Sequence, residues 1–218
     1  MIQRRQSWQR LLQHGGARRQ RDVASNQLTE KQCRDLIGAA MVAWESGFPF
    51  NRFITILWER SGVDARRNGE TTARFVKLAS DWARRHGYRL VWAWVQEHGW
   101  KNGAHVHLVL HVPLELDPIF KTMPAKWTKL CLPGAYVRKT LQCQKVRFGD
   151  IAVNNPEAYE AAIMGKVHYM LKFAPAALES ELGMVGKGYK PWGQSGVTFG
   201  KRARIWQGWK PQFNRDPA

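Results

Sequence analysis

Residues 88–112 read YRLVWAWVQEHGWKNGAHVHLVLHV. Two runs rich in β-branched and aromatic residues, 88–96 and 105–112, flank a short link carrying Asn102-Gly103. That dipeptide suits the left-handed backbone of a tight turn, so the stretch reads as a β-hairpin. Strands joined this tightly must run antiparallel, which argues against a purely parallel, doubly wound sheet.

The elements on either side fit the same plan. Upstream, Thr29 and Gln32 have the spacing of a capping box, followed by Leu36, Ala39, Ala40 and Ala43 at helical intervals up to Gly47-Phe48-Pro49. Residues 52–58 (RFITILW) form a buried-strand pattern, and 72–86 a helix whose apolar stripe is Phe75, Leu78, Ala79 and Trp82, ended by Gly87. Downstream, Asp117-Pro118 opens a helix to about residue 130, residues 136–148 partly alternate as a strand, and Asn155-Pro156-Glu157 opens a last helix that must stop before Pro175. The order α-β-α-β-β-α-β-α predicts an α+β fold, an antiparallel sheet with helices packed on one face, close to the split β-α-β plan of ferredoxin-like folds. Residues 1–28 read as a basic arm, 29–182 as the domain, and 183–218 as a basic tail rich in Gly and Trp with no assignable regular structure.

A formal charge of +17 over 218 residues points to a polyanionic partner, most commonly nucleic acid. Three cysteines (Cys33, Cys131, Cys143) without a C-x-x-C pair argue against a disulfide frame or a thiolate zinc site and fit a reducing cytoplasm. The longest apolar run, near Leu36 to Trp44, is too short to span a bilayer, and no membrane role is expected.

Chemistry concentrates at the hairpin. His105 and His107 are two apart in a strand, so their side chains share one face and can hold one cation. A three-residue loop, 101–103, sets Glu97 opposite His107 and on the histidine face; a two-residue loop sets His98 there instead. A carboxylate with two imidazoles suits Mg²⁺ or Mn²⁺ with open positions for phosphate oxygens, whereas a third histidine favours zinc. His111 continues the same face and is a candidate DNA contact. Late in the last predicted helix, Tyr169 has Lys166 three residues before it and Lys172 three after, so both ammonium groups share its side. Cations beside a phenol attract the phosphate that a tyrosine nucleophile must attack. Tyr159 is a second candidate without a flanking lysine within a turn.

Taken together, these pieces resemble the HUH endonucleases, in particular rolling-circle replication initiator (Rep) proteins, over about residues 51–173. Phe53-Ile54-Thr55-Ile56-Leu57 looks like their first motif, His105-Val106-His107 their second with Glu97 as the acidic third ligand, and Tyr169-Met170-Leu171-Lys172 their third, Y-x-x-K. Leu57 stands where the first motif usually has a second Thr, and no second tyrosine lies within a turn of Tyr169. The resemblance implies nicking of single-stranded or hairpin DNA at a replication origin, as in plasmids and phages. Tyr169 would form a 5′-phosphotyrosine bond, and Lys172 would position the phosphate. Thr55, Lys166, His111, Lys201 and Arg202 are expected to contact DNA. The sequence shows no G-x-x-x-x-G-K-[ST] loop, so a helicase acting in trans is expected. A single-tyrosine HUH transposase and a non-catalytic basic nucleic-acid-binding module are the alternatives. Trp58, Trp92 and Trp94 on the strands and Trp192, Trp206 and Trp209 in the tail, near Lys201, Arg202, Arg204 and Lys210, are candidate base-stacking surfaces, with Trp82 and one of Trp92 and Trp94 assigned to the core.

Overall fold

The computed structural model describes residues 23–186 and 196–208. In chain order the main elements are β1 (Ala24–Ser25), α1 (Glu30–Glu45), β2 (Arg52–Ile56), α2 (Asn68–Arg85), β3 (Trp92–Gly99), β4 (Gly103–Leu110), α3 (Asp117–Phe120), α4 (Met123–Cys131), β5 (Leu141–Lys145), α5 (Pro156–Met170), β6 (Thr198–Phe199) and β7 (Ala203–Ile205). A five-stranded antiparallel sheet of order β5-β2-β4-β3-β7 carries the fold, and β1 pairs with β6 in a separate ribbon.

Helices cover both faces of this sheet, not one. Alternation along the strands separates two cores. Phe53, Ala93, Val95 and Val109 pack under α1 and α5, through Leu36, Ala39, Ala43, Ile163 and Val167. Ile54, Ile56, Trp94, Val106 and Leu108 face the opposite way and pack under α2 and α4, through Phe75, Ala79, Trp82 and Trp127. The near-continuous apolar runs of β2 and β4 have this physical cause, because a strand buried on both faces has no polar side to show.

Local signals set the helix boundaries. The Thr29 side chain accepts from the Gln32 amide while the Gln32 side chain accepts from the Thr29 amide, and this reciprocal cap starts α1. The single helix expected from Asp117 is broken into α3 and α4 by a turn at Lys121–Thr122, and Pro124 takes the first turn of the new helix. The segment expected to be a tail contributes the edge strand β7, whose Ala203, Arg204 and Ile205 pair with Val95, Trp94 and Ala93. On β2, next to the opposite edge strand β5, buried Arg52 binds Asp117 and Asp150 (2.9 Å to the latter), tying β2 to α3 and to the turn that leads into α5. Cys33, Cys131 and Cys143 are free thiols. Among the described residues, no helix is long and apolar enough to cross a membrane.

Candidate metal centre and active site

The hairpin register pairs Glu97 with His105, Val95 with His107 and Gly99 with Gly103, leaving Trp100, Lys101 and Asn102 as the connection. The expected loop, and with it the pairing of Glu97 to His107, is displaced by one residue towards the N-terminus. Gly103, at φ +62°, opens β4 instead of ending the loop. A shift of one pair on each strand preserves side-chain parity, so Glu97, His105 and His107 still share the face beneath α5. His98 faces Ala104 and hydrogen bonds through Nδ1 to the Val197 carbonyl (3.1 Å), which removes it as the third ligand.

All three site residues are buried, Glu97 completely at 0% exposure. Glu97 Oε2 lies 3.1 Å from His105 Nε2 and 3.4 Å from His107 Nε2, and one ligand atom from each residue falls within 4.8 Å of the others, close enough to share one cation. Each imidazole is aimed by a bond on its far nitrogen. His105 Nδ1 donates to the Gly103 carbonyl (2.8 Å), which in the neutral ring leaves the Nε2 lone pair facing the carboxylate. His107 Nδ1 lies 2.9 Å from Thr55 Oγ1, contributed by β2 directly across the ladder. Bonds of this kind fix tautomer and ring angle in metal sites. Glu97 Oε1 is buried with no hydrogen-bond partner among the described residues, an uncommon state for a carboxylate oxygen and one that ligation of a cation satisfies. The donor set therefore fits a bound metal ion.

Charge in the site is balanced tightly. Burial opposes ionisation of Glu97, but His107, His105 and the Lys172 ammonium outweigh it and hold the carboxyl well below the usual carboxylate range. Burial pushes His107 down to about 4 despite the neighbouring Glu97 carboxylate, with Lys172 and His105 adding to the effect. The ring is thus neutral near pH 7, which is the form that ligates metal. The Lys172 ammonium bonds Glu97 Oε2 and sits 3.5 Å from His107 Nε2. It reaches inward because α5 stops at Met170, so the expected helical continuation through Lys172 is a turn instead.

Tyr169 stands at the lip of this site, 37% exposed. Its ring meets His107 edge-on at 4.9 Å between centroids, and Lys172 Nζ lies 4.0 Å from its ring centroid. Phe53, expected as part of the strand carrying Thr55 but given no role of its own, stacks on His107 at 5.5 Å and touches Tyr169 at 6.2 Å. Its place beside Thr55 in β2 was readable, but which strand lies next to the histidines was not. Lys166 Nζ lies over the Phe53 ring, 4.8 Å from its centroid. A cleft of about 560 Å³ opens between α5 and the β2–β5 side of the sheet, lined by Phe53, Thr55, Asn102, His107, Lys166 and Tyr169. Tyr159 is removed as a nucleophile: it is fully buried and its hydroxyl bonds the Phe50 carbonyl (3.3 Å).

The remaining expected DNA contacts lie elsewhere. Thr55 does line the cleft, but its hydroxyl serves His107. His111 is tied to the Pro49 carbonyl (2.8 Å). Lys201 is exposed on the segment joining β6 to β7. Arg202 is buried, donating to the Ser25 carbonyl (2.7 Å) and to Thr198 Oγ1 (3.1 Å), and so is an internal cation near Glu97 instead of a surface contact. Trp58, Trp94 and Trp206 are core residues, while Trp192, Trp209 and Lys210 fall outside the described residues. No family model, curated protein or solved structure matches the chain.

One consequence concerns Thr55. Thr55→Val keeps the shape of the side chain and removes the partner of His107 Nδ1. Affinity for Mn²⁺ should fall about 10- to 100-fold, the usual cost of losing such an orienting bond. Calorimetric titration measures this; unchanged affinity would show that the ring is held by packing against Phe53 alone.

Proposed function

We propose that this protein is a metal-dependent endonuclease that nicks one strand of DNA and stays covalently attached to it, in the manner of the HUH replication initiators. One observation carries the reading: the Tyr169 ring lies edge-on against His107, a member of the only His/Cys/Asp/Glu cluster suited to a metal among the described residues. A phenol next to a cation site, open to a cleft and flanked by two lysines, is suited to phosphodiester transfer to tyrosine.

Glu97, His105 and His107 would hold Mg²⁺ or Mn²⁺, whose chemistry there is Lewis-acid stabilisation of charge on the scissile phosphate. Each step then falls to a residue of the chain. The cleft accepts a single strand and brings a phosphodiester over His107. Tyr169 Oη attacks phosphorus, forming a P–O bond to the tyrosine as the bond to the 3′ oxygen breaks. The phenol proton passes to solvent, and the departing 3′ oxygen takes a proton to become a free hydroxyl able to prime synthesis. Lys172, already against Glu97 and the Tyr169 ring, neutralises charge that builds on the phosphoryl oxygens. Attack by that 3′-hydroxyl on the phosphotyrosine reverses the transfer and rejoins a strand. Origin DNA in single-stranded or hairpin form is the proposed substrate, with a helicase in trans to expose it and the cytoplasm as the place of action.

The test is incubation with a randomised single-stranded oligonucleotide pool and Mn²⁺, followed by denaturing electrophoresis. A DNA-linked protein band that EDTA prevents is expected. Absence of such a band with linear, circular and hairpin single strands alike would defeat the proposal.

A further inference from the structure

The tip of the β3–β4 hairpin carries an indole that lies open to solvent. Trp100 is 85% exposed, the most exposed aromatic among the described residues. Burial of such a side chain would contribute favourably to folding, yet the loop holds it out in water. The loop itself is braced. The Ala104 amide donates to Glu59 Oε2 at 2.6 Å, and Gly103 has the left-handed backbone that favours glycine, in a place where a Cβ would collide with the same Glu59 carboxylate. A ring on so fixed a tip loses little conformational freedom when it binds something.

Its surroundings indicate what that is. Lys101 is next in sequence and exposed. Asn102, one residue further, lines the cleft that also holds His107 and Tyr169, and Gly99 packs against the His105 ring with 3.8 Å between that ring and the position of a Cβ. The tip therefore borders the cleft through Asn102, and the two residues before it in sequence are an exposed aromatic and an exposed cation. An indole face stacks on any unpaired base, whereas the bases of a duplex are already stacked on one another.

We propose that Trp100 is a stacking platform for an unpaired base of the strand entering the cleft, with Lys101 contacting the adjoining phosphate. The proposal rests on the nickase reading only for what happens to that strand afterwards.

The experiment uses the full chain carrying Tyr169→Phe, in EDTA, with a fluorescein-labelled oligodeoxythymidine of about 16 nucleotides, the upper end of the site sizes that such grooves track. Adding Trp100→Ala should weaken binding about 5- to 150-fold, the range for losing one stacked base. Trp100→Phe should stay within about threefold of the parent, and binding of a duplex of equal length within about twofold, since only unpaired bases offer a free face. Equal affinity of Trp100→Ala and parent for the single strand overturns the proposal, as does an equal loss on the duplex. A fall in Mn²⁺ affinity of Trp100→Ala overturns it too, because the residue would then act through His105. Failure of the nickase reading looks different: the chain with Tyr169 intact forms no covalent band, while the Trp100 effect on binding persists.

Discussion

Tyr169→Phe should abolish covalent attachment to DNA, lowering the rate by at least about 10³-fold, while Mn²⁺ affinity and single-strand binding stay within about threefold of the parent. Loss of a nucleophile that works as part of a unit commonly costs more than this. The substitution removes one oxygen and keeps the ring, so the edge-on contact with His107 at 4.9 Å and that with Phe53 at 6.2 Å are retained. The metal ligands are untouched, and Lys172 still has an aromatic face beneath it. Separation of chemistry from binding is therefore the signature. A module that only binds nucleic acid never forms the band, with or without the hydroxyl. An enzyme that hydrolyses DNA through water still cuts after the substitution and leaves no protein on the product. Tyr159 offers no second route, since reaching a phosphate would require withdrawing a fully buried side chain from its bond to the Phe50 carbonyl. If the band survives Tyr169→Phe, the phenol at the lip of the cleft is not the nucleophile.

How far the site was legible depends on which physical signal carried each part. Strand parity needs only the alternation of side chains, so His105, His107 and Glu97 could be placed on one face even with the loop misjudged by one residue. The register itself was beyond the sequence, because Glu59, forty-four residues before Gly103, braces the turn through the Ala104 amide. Helices on both faces were foreshadowed by RFITI and HVHLVL, apolar runs too continuous for a strand with a wet side, although that pattern alone does not separate strand from buried helix. The strand Ala203–Ile205 is three residues long and lies among Gly, Lys and Arg, with too few positions for any period to emerge. Composition misled most at Arg202 and Trp206. A basic, aromatic segment reads as surface, yet Arg202 is an internal cation and Trp206 packs on Phe50 at 5.9 Å. The bend after Met170 that turns Lys172 inward has no local marker, because burial of the ammonium against Glu97 is a tertiary effect.

Glu97→Gln should have the second large effect, and on two quantities at once. Mn²⁺ affinity should fall by at least about 100-fold, beyond the range for losing an orienting bond, because a charged ligand is replaced by a neutral amide. Stability should fall as well. The Lys172 side chain is only 13% exposed and that of Glu97 1%, so removing the carboxylate leaves an ammonium in the interior without its counter-ion. Breaking a buried pair from one side costs about 3–5 kcal/mol, which for a domain of this size lowers Tm by roughly 6–20 °C. Adding Lys172→Met separates the two consequences. With the stranded cation replaced by an apolar chain of similar length, most of the lost stability should return, since removing both partners of a buried pair is often close to neutral. The metal affinity should not return, because the charged oxygen ligand is still missing. Thermal melts and calorimetric titrations of the parent, the two single variants and the double variant form a cycle that apportions the coupling. If Glu97→Gln melts early but binds Mn²⁺ as the parent does, Glu97 is the counter-ion of Lys172 and not a ligand, and the cation is held without its charge.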